Sequence, residues 1–132
     1  MEIVVVDNDR ALLRSVEIML NTGGHRVHAF QDPESACRYV EKGGSLDILL
    51  LDYVMPHLSG AEVLQRIREF LPAHARVVLI SGHTEMVESL DLKGLGVEAF
   101  LPKPLDLQQL DAVLSDYYGE RSPDFSRQEK TS

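Results

Sequence analysis

Five residues of this chain carry groups suited to chemistry, and each stands where an apolar run gives out. Asp7 and Asn8 follow Ile3-Val4-Val5-Val6, Asp52 follows Ile48-Leu49-Leu50-Leu51, Ser81 follows Val77-Val78-Leu79-Ile80, and Lys103 lies just past Phe100-Leu101. Two acids and an amide oxygen held together suit a hard divalent cation such as Mg²⁺, which takes oxygen ligands. A lysine and a hydroxyl beside an acid suit an incoming phosphoryl group, whose oxygens need donors and positive charge. The carboxylate itself is a competent nucleophile toward phosphorus and would give an acyl phosphate. Taken singly, each residue has a plainer reading: Asp7 or Asp52 as a helix cap, Ser81 as a turn residue, Lys103 as a solvated charge. What argues for chemistry is a fold that delivers all five to one rim.

The apolar runs supply that fold. Four apolar residues ahead of Asp52, with no polar alternation, read as a strand buried on both faces, as in the middle of a parallel sheet. Pro56 cannot donate to a ladder, so the strand ends before it. Ile3–Val6 and Val77–Ile80 read the same way. Arg26–Phe30 and Val97–Leu101 alternate in polarity and are expected as edge strands covered on one face. Between the strands lie helical stretches. Asp9 caps one with Leu12, Val16, Met19 and Leu20 apolar, ended by Gly23-Gly24. Asp32-Pro33 opens another that runs to about Lys42. Ser59-Gly60 leads into a third with Val63, Leu64, Ile67, Phe70 and Leu71 apolar. A weaker one is expected over residues 84–93, and Asp106 caps the last, with Leu107, Leu110, Leu114 and Tyr117 on one face.

A βα unit repeated five times with short loops demands crossover helices and a parallel sheet. The expectation is α/β, a doubly wound (βα)5 three-layer sandwich of the flavodoxin-like kind with strand order 2-1-3-4-5. In such sheets ligands bind outside the carboxyl ends of the strands, where order 2-1-3 makes Asp7 and Asp52 neighbours. Residues 1–118 form the domain; residues 119–132 turn polar and aperiodic and read as a tail or truncated linker.

Composition narrows the functional classes. A chain of 132 residues suits one domain with a proper core. No apolar run is long enough to span a bilayer, and the start lacks the pattern of a secretory signal. The single cysteine, Cys37, rules out an internal disulfide and fits a reducing compartment; it is expected as a half-buried helix residue. The formal charge of −8 argues against nucleic acid as a direct partner. The expected location is cytoplasmic, with no membrane contact.

Four segments in order resemble the receiver domains of bacterial two-component response regulators: Val-Val-Asp-Asn-Asp at 5–9, Leu-Leu-Asp-Tyr-Val-Met-Pro-His-Leu-Ser-Gly at 50–60, Leu-Ile-Ser-Gly at 79–82 and Phe-Leu-Pro-Lys-Pro at 100–104. The resemblance covers residues 2–118. It implies that Asp52 takes a phosphoryl group from a phosphohistidine on a sensor histidine kinase or histidine phosphotransfer protein, with Mg²⁺ as cofactor. It implies Asp7, Asn8, Asp52 and the Val54 backbone carbonyl as metal ligands, with Lys103 and Ser81 at the phosphoryl group. Ser81 and Phe100 would be the switch pair. The Lys103–Pro104 peptide would be cis, a rare state even before proline. The output would be a surface of the fourth helix, fifth strand and fifth helix that binds a downstream effector domain or protein. Such a domain is a signalling phosphoacceptor and no enzyme, beyond self-phosphorylation and slow autodephosphorylation. One position departs from the pattern: Asn8 stands where the family mostly carries a second acid, while Asp9 is placed to cap a helix. His83, two residues past the switch hydroxyl, is expected as a solvated loop histidine, with a place over the phosphoryl site as the alternative.

Two rival readings follow from the same residues. An apolar strand followed by Asp7-Asn8-Asp9 resembles the opening motif of haloacid-dehalogenase-type phosphohydrolases, with Asp7 as nucleophile. Against it, no acidic pair follows Lys103 and there is no room for a cap domain. A pseudo-receiver, acting only as a protein-interaction module, has Asn8 as its sole support. Flavin binding is disfavoured because the first βα loop lacks a phosphate cradle.

Overall fold

The computed structural model describes residues 1–121. Strands β1 (Glu2–Val6), β2 (Arg26–Phe30), β3 (Ile48–Asp52), β4 (Arg76–Ser81) and β5 (Ala99–Pro102) alternate with helices α1 (Arg10–Thr22), α2 (Pro33–Glu41), α3 (Gly60–Ile67), α4 (Thr84–Glu88) and α5 (Leu107–Arg121). A turn of 3₁₀ helix, Arg68–Phe70, extends α3. All strand pairs are parallel and the order is β2-β1-β3-β4-β5, as the apolar runs predict.

The strand pattern explains the core. Every residue of β3 is buried, and so are Ile3–Val6 and Val77–Ser81. Alternate residues of these strands serve two separate layers. Val4, Val6, Leu49, Leu51, Val77 and Leu79 face α2 and α3; Ile3, Val5, Ile48, Leu50, Val78 and Ile80 face α1 and α5. Burying one such side chain stabilises by about 1.5–3 kcal/mol, so the three central strands anchor the domain.

Helix ends follow the local chemistry read from sequence. Asp9 accepts from the backbone N–H groups of Ala11 and Leu12, and Asp32 from that of Glu34. Ser59 and Glu62 form a reciprocal capping box at α3. Asp106 caps α5 through Gln108 and Gln109.

Several expectations need correction. The edge strands are covered on both faces, not one: Val27 and Ala29 pack on the α1–α5 side, while the rings of His28 and Phe30 lie 4.9 and 5.6 Å from that of Tyr39 on α2. Helix α4 ends at Glu88 rather than near residue 93. There the Ser89 hydroxyl donates to the Met86 carbonyl and Asp91 accepts from the Gly94 N–H, so side chains compete with helical pairing. Strand β5 starts at Ala99, although Val97 is buried and the Glu98 N–H already donates to the Val77 carbonyl. On α1 the buried positions are Leu13, Val16 and Leu20, with Leu12 and Met19 flanking the core. Leu107 is exposed at the start of α5, whereas Leu110, Leu114 and Tyr117 are buried against the core. Phe70 is exposed because the 3₁₀ turn rotates it off the α3 stripe. Cys37 is wholly buried, and burial pushes its thiol pKa up, away from thiolate chemistry.

No helix among the described residues is long and apolar enough to cross a membrane. The polar stretch expected from residue 119 lies, from residue 122 onward, outside the described residues.

Candidate functional site

Register brings the backbone positions of the five polar residues to one rim. Val6 pairs with Leu51, so Asp7 and Asp52 leave adjacent strands at the same height. Asp52 pairs with Ile80, and Ser81 comes next; Ser81 pairs with Pro102, and Lys103 comes next. The ladder continues one step past the strands and fixes the backbone there. Asp7 N–H donates to the Phe30 carbonyl at 3.1 Å, Tyr53 N–H to that of Ile80 at 2.9 Å, and Lys103 N–H to that of Ser81 at 2.9 Å.

The centre is a pair of buried carboxylates sharing one ammonium. Asp7 and Asp52 are 0% and 2% exposed. Lys103 Nζ lies 2.9 Å from Asp7 Oδ2 and 3.3 Å from Asp52 Oδ2. The contact to Asp52 is a hydrogen bond, whereas Asp7 Oδ2 is buried with no aligned hydrogen-bond donor. Asp7 Oδ1 accepts from the Asp9 N–H at 2.8 Å. Asp52 Oδ1 accepts a long bond, 3.4 Å, from the Val54 N–H.

Charge follows from this geometry. Burial, and then the Asp7 charge, push the Asp52 pKa up to about 6, although Lys103 pulls it back. Burial works against the Lys103 ammonium, but Asp7 and Asp52 together outweigh it and raise its pKa. Lys103 is therefore charged at neutral pH.

A stability prediction arises here. The folded protein without metal holds the Asp52 proton more tightly than the unfolded chain, whose value is 3.8. The associated stability is full below about pH 4 and is lost as pH rises through 6. Asp52→Asn carries no buried charge, so in chelator at pH 8 it should be more stable than wild type, by on the order of 1–3 kcal/mol. That advantage should vanish near pH 4. Denaturant melts of both proteins across this range check it; a pH-independent difference would contradict the assigned charge state.

The remaining residues fall as follows. Ser81 is fully buried and its Oγ accepts from the His83 N–H at 2.9 Å. The His83 side chain is exposed at the start of α4, as a solvated loop histidine should be. Asn8 is exposed beside Asp7, and its carbonyl accepts from Gln31 Nε2 at 3.1 Å. Asp9 is spent on capping α1. Phe100 is half-buried on β5, packed against the α2–α3 side of the core. The Lys103–Pro104 peptide is cis.

Two features of the site were not singled out from sequence. A β-carbon at Gly60 would lie 2.8 Å from the Asp52 carbonyl oxygen and 2.8 Å from Tyr53 Cα, so only glycine lets α3 start against the acid's own backbone. Ser59-Gly60 carried the signal, but only as a helix start. His57 adopts φ 73°, and the Leu58 N–H donates to the Pro56 carbonyl at 2.8 Å. This is a γ-turn in its rarer, strained form, held at the rim by a residue that sequence gives no reason to suspect.

Fold and rim define a flavodoxin-like α/β domain with a carboxylate–lysine centre at its switch point. The family model of the response regulator receiver domain matches residues 3–115, and the chain belongs to that family: it is a receiver domain of the two-component response regulators. It is 31% identical to the regulatory protein VanRc of Enterococcus gallinarum, over 80% of this chain and 44% of that protein. It is 28% identical to the DNA-binding transcriptional regulator NtrC of Azospirillum brasilense, over 92% of this chain and 25% of that one. The chain thus spans less than half the length of either relative. Among solved structures, the receiver domain of the hybrid histidine kinase CckA is 32% identical with a TM-score of 0.72, covering 89% of this chain and 98% of that one.

The site's fit to a divalent cation is tested by its own oxygens. A buried carboxylate oxygen without a hydrogen-bond donor, Asp7 Oδ2, is the kind of group a cation satisfies. Two clustered acids with one lysine leave net negative charge. Among the described residues no group of three or more His, Cys, Asp or Glu side chains converges as metal ligands. Any ligand set here must therefore include neutral oxygens, a composition suited to Mg²⁺.

Proposed function

We propose that Asp52 is the phosphoacceptor of a two-component phosphorelay, receiving a phosphoryl group from the phosphohistidine of a sensor histidine kinase or histidine phosphotransfer protein. The observation that carries this reading is the buried Asp52 carboxylate, 3.3 Å from the Lys103 ammonium at the rim of the sheet. One carboxylate oxygen attacks phosphorus; the new O–P bond forms as the N–P bond breaks, and the imidazole leaves with the bonding pair. Lys103 meets the phosphoryl oxygens with its charge, and Ser81 offers its hydroxyl once that group turns from the His83 N–H. Asp7, the Asn8 side-chain oxygen, Asp52 and the Val54 carbonyl would hold Mg²⁺, which when bound offsets the charge on the phosphoryl oxygens. Ser81 moving toward the phosphoryl group leaves space for Phe100 to turn inward. That exchange of packings remodels the α4–β5–α5 face, where Glu85, Glu88 and Asp111 are exposed, for a downstream effector domain or protein. The setting is the cytoplasm, and the domain acts as a phosphoacceptor with only self-phosphorylation and slow autodephosphorylation.

Incubation with acetyl phosphate and Mg²⁺ should add one phosphoryl group to the intact mass, with negligible turnover of a chromogenic phosphate ester. Sustained ester hydrolysis would favour the phosphohydrolase reading with Asp7 as nucleophile; no mass gain and no turnover would favour the pseudo-receiver.

A further inference from the structure

We infer that the outer edge of β2 joins that of a second copy of this chain, the two strands running antiparallel about a two-fold axis at Ala29. The faces of β2 are covered by helices, but its edge is open, because β2 pairs with β1 alone. Backbone groups of successive strand residues point to opposite sides in the plane of the sheet. The Arg26 N–H donates to the Met1 carbonyl and the Phe30 carbonyl accepts from the Asp7 N–H, so Arg26, His28 and Phe30 turn toward β1. Val27, Ala29 and Gln31 therefore turn their N–H and C=O groups outward, and no backbone or side-chain group among the described residues meets them. An open edge recruits another strand unless proline, charge or a bulge blunts it. None does here. Val27, Ala29 and Gln31 are uncharged, and β1 and β2 pair residue for residue from Glu2 and Arg26 to Val6 and Phe30. The other edge strand, β5, ends on Pro102, which has no N–H to donate.

Charge and symmetry name the second copy as the occupant. Antiparallel pairing sets outward-facing residues opposite one another, and a register centred on Ala29 puts Val27 against Gln31 of the other copy and Ala29 against Ala29. The pairs between them are not hydrogen-bonded and bring side chains closest. These are Arg26 with Asp32 and His28 with Phe30, each formed twice by the two-fold. Arg26 is free to reach across: its side chain is 78% exposed, held only by Glu2 at 3.3 Å. The Asp32 carboxylate is exposed, and the backbone there is still extended, with φ −102° and ψ 117°. His28 and Phe30 are half-buried rings on the α2 side, so each copy adds uncovered aromatic surface to the contact. A register centred on His28 instead would set each His28 against its own counterpart and leave Arg26 without an acid. The contact is self-complementary and consumes the edge that makes it, so it closes at a dimer.

Sedimentation of the full, unphosphorylated chain should show a monomer–dimer equilibrium by about 1 mM, the weak end of specific association. Amide hydrogen exchange on the same samples should slow at Val27, Ala29 and Gln31 as concentration rises, with the amides of α4 and β5 unmoved. Ala29→Pro deletes an N–H that the β1 ladder does not use, so the monomer should fold while the dissociation constant rises about tenfold or more. Arg26→Gln, at a side chain largely in solvent, should raise it severalfold. A chain that stays monomeric at that concentration would overturn the inference and leave the edge to a strand of another protein. A dimer whose slowed amides lie on α4 and β5, or one that both substitutions leave equally tight, would overturn it too.

Discussion

Asp52→Ala should take up no phosphoryl group from acetyl phosphate and Mg²⁺ under conditions where wild type is fully labelled. The substitution removes the nucleophile, and nothing at the rim can replace it. Asp7 is the nearest acid, but it is fully buried, with Oδ1 held by the Asp9 N–H and Oδ2 against Lys103. Asp9 is committed to two backbone N–H groups of α1. Ser81 lacks a neighbouring base: its Oγ accepts from the His83 N–H, and the His83 side chain is exposed to solvent. The loss should thus be complete rather than graded. Intact mass measures it, and a variant that still gains an alkali-labile phosphoryl group would refute the assignment.

Asn8→Asp should tighten Mg²⁺ binding by about 1–2 kcal/mol, from Coulomb energies at intermediate dielectric. That corresponds to roughly 5–30-fold in affinity. A doubly charged hard cation gains more from a carboxylate than from an amide oxygen, because full charge acts at contact distance. Asn8 lies directly beside Asp7 on the exposed side of the rim, so the added charge reaches the ion without itself being buried. The same charge adds a third acid to the cluster when metal is absent, so the variant should melt earlier in chelator. Paired Mg²⁺ titrations and thermal melts check both halves. Equal affinities would place Asn8 outside the coordination shell, with a water or the backbone supplying the missing oxygen.

The sheet was legible because its physics is local: four-residue apolar runs ending in Asp7, Asp52 and Ser81 announce strands buried on both faces, and the two alternating runs marked β2 and β5 as edges, which the order β2-β1-β3-β4-β5 satisfies. The shared rim was legible too, since the polar residues stand at or just past the ends of their strands. The caps at Asp9, Asp32 and Asp106 were readable from residue type, and Ser59 was readable as a helix start. What sequence could not supply were effects decided between elements. Tyr39 covers the outer face of β2 from α2, which no pattern within β2 can reveal. Helix α4 stops at Glu88 because Ser89 and Asp91 bond to local backbone, a competition that propensity leaves open. The sharing of Lys103 between Asp7 and Asp52, aligned to one and not the other, is a matter of ångströms. The positive φ at His57 has no glycine to mark it.

Phosphoryl transfer to this chain is expected to end on the Asp52 carboxylate. Reducing the labelled wild-type protein with borohydride converts an aspartyl phosphate to homoserine at the residue that carried it, and peptide mass spectrometry then reads the position. Homoserine at position 52 alone is the predicted result. Homoserine at position 7, or a label that resists reduction on a serine or histidine, would contradict it.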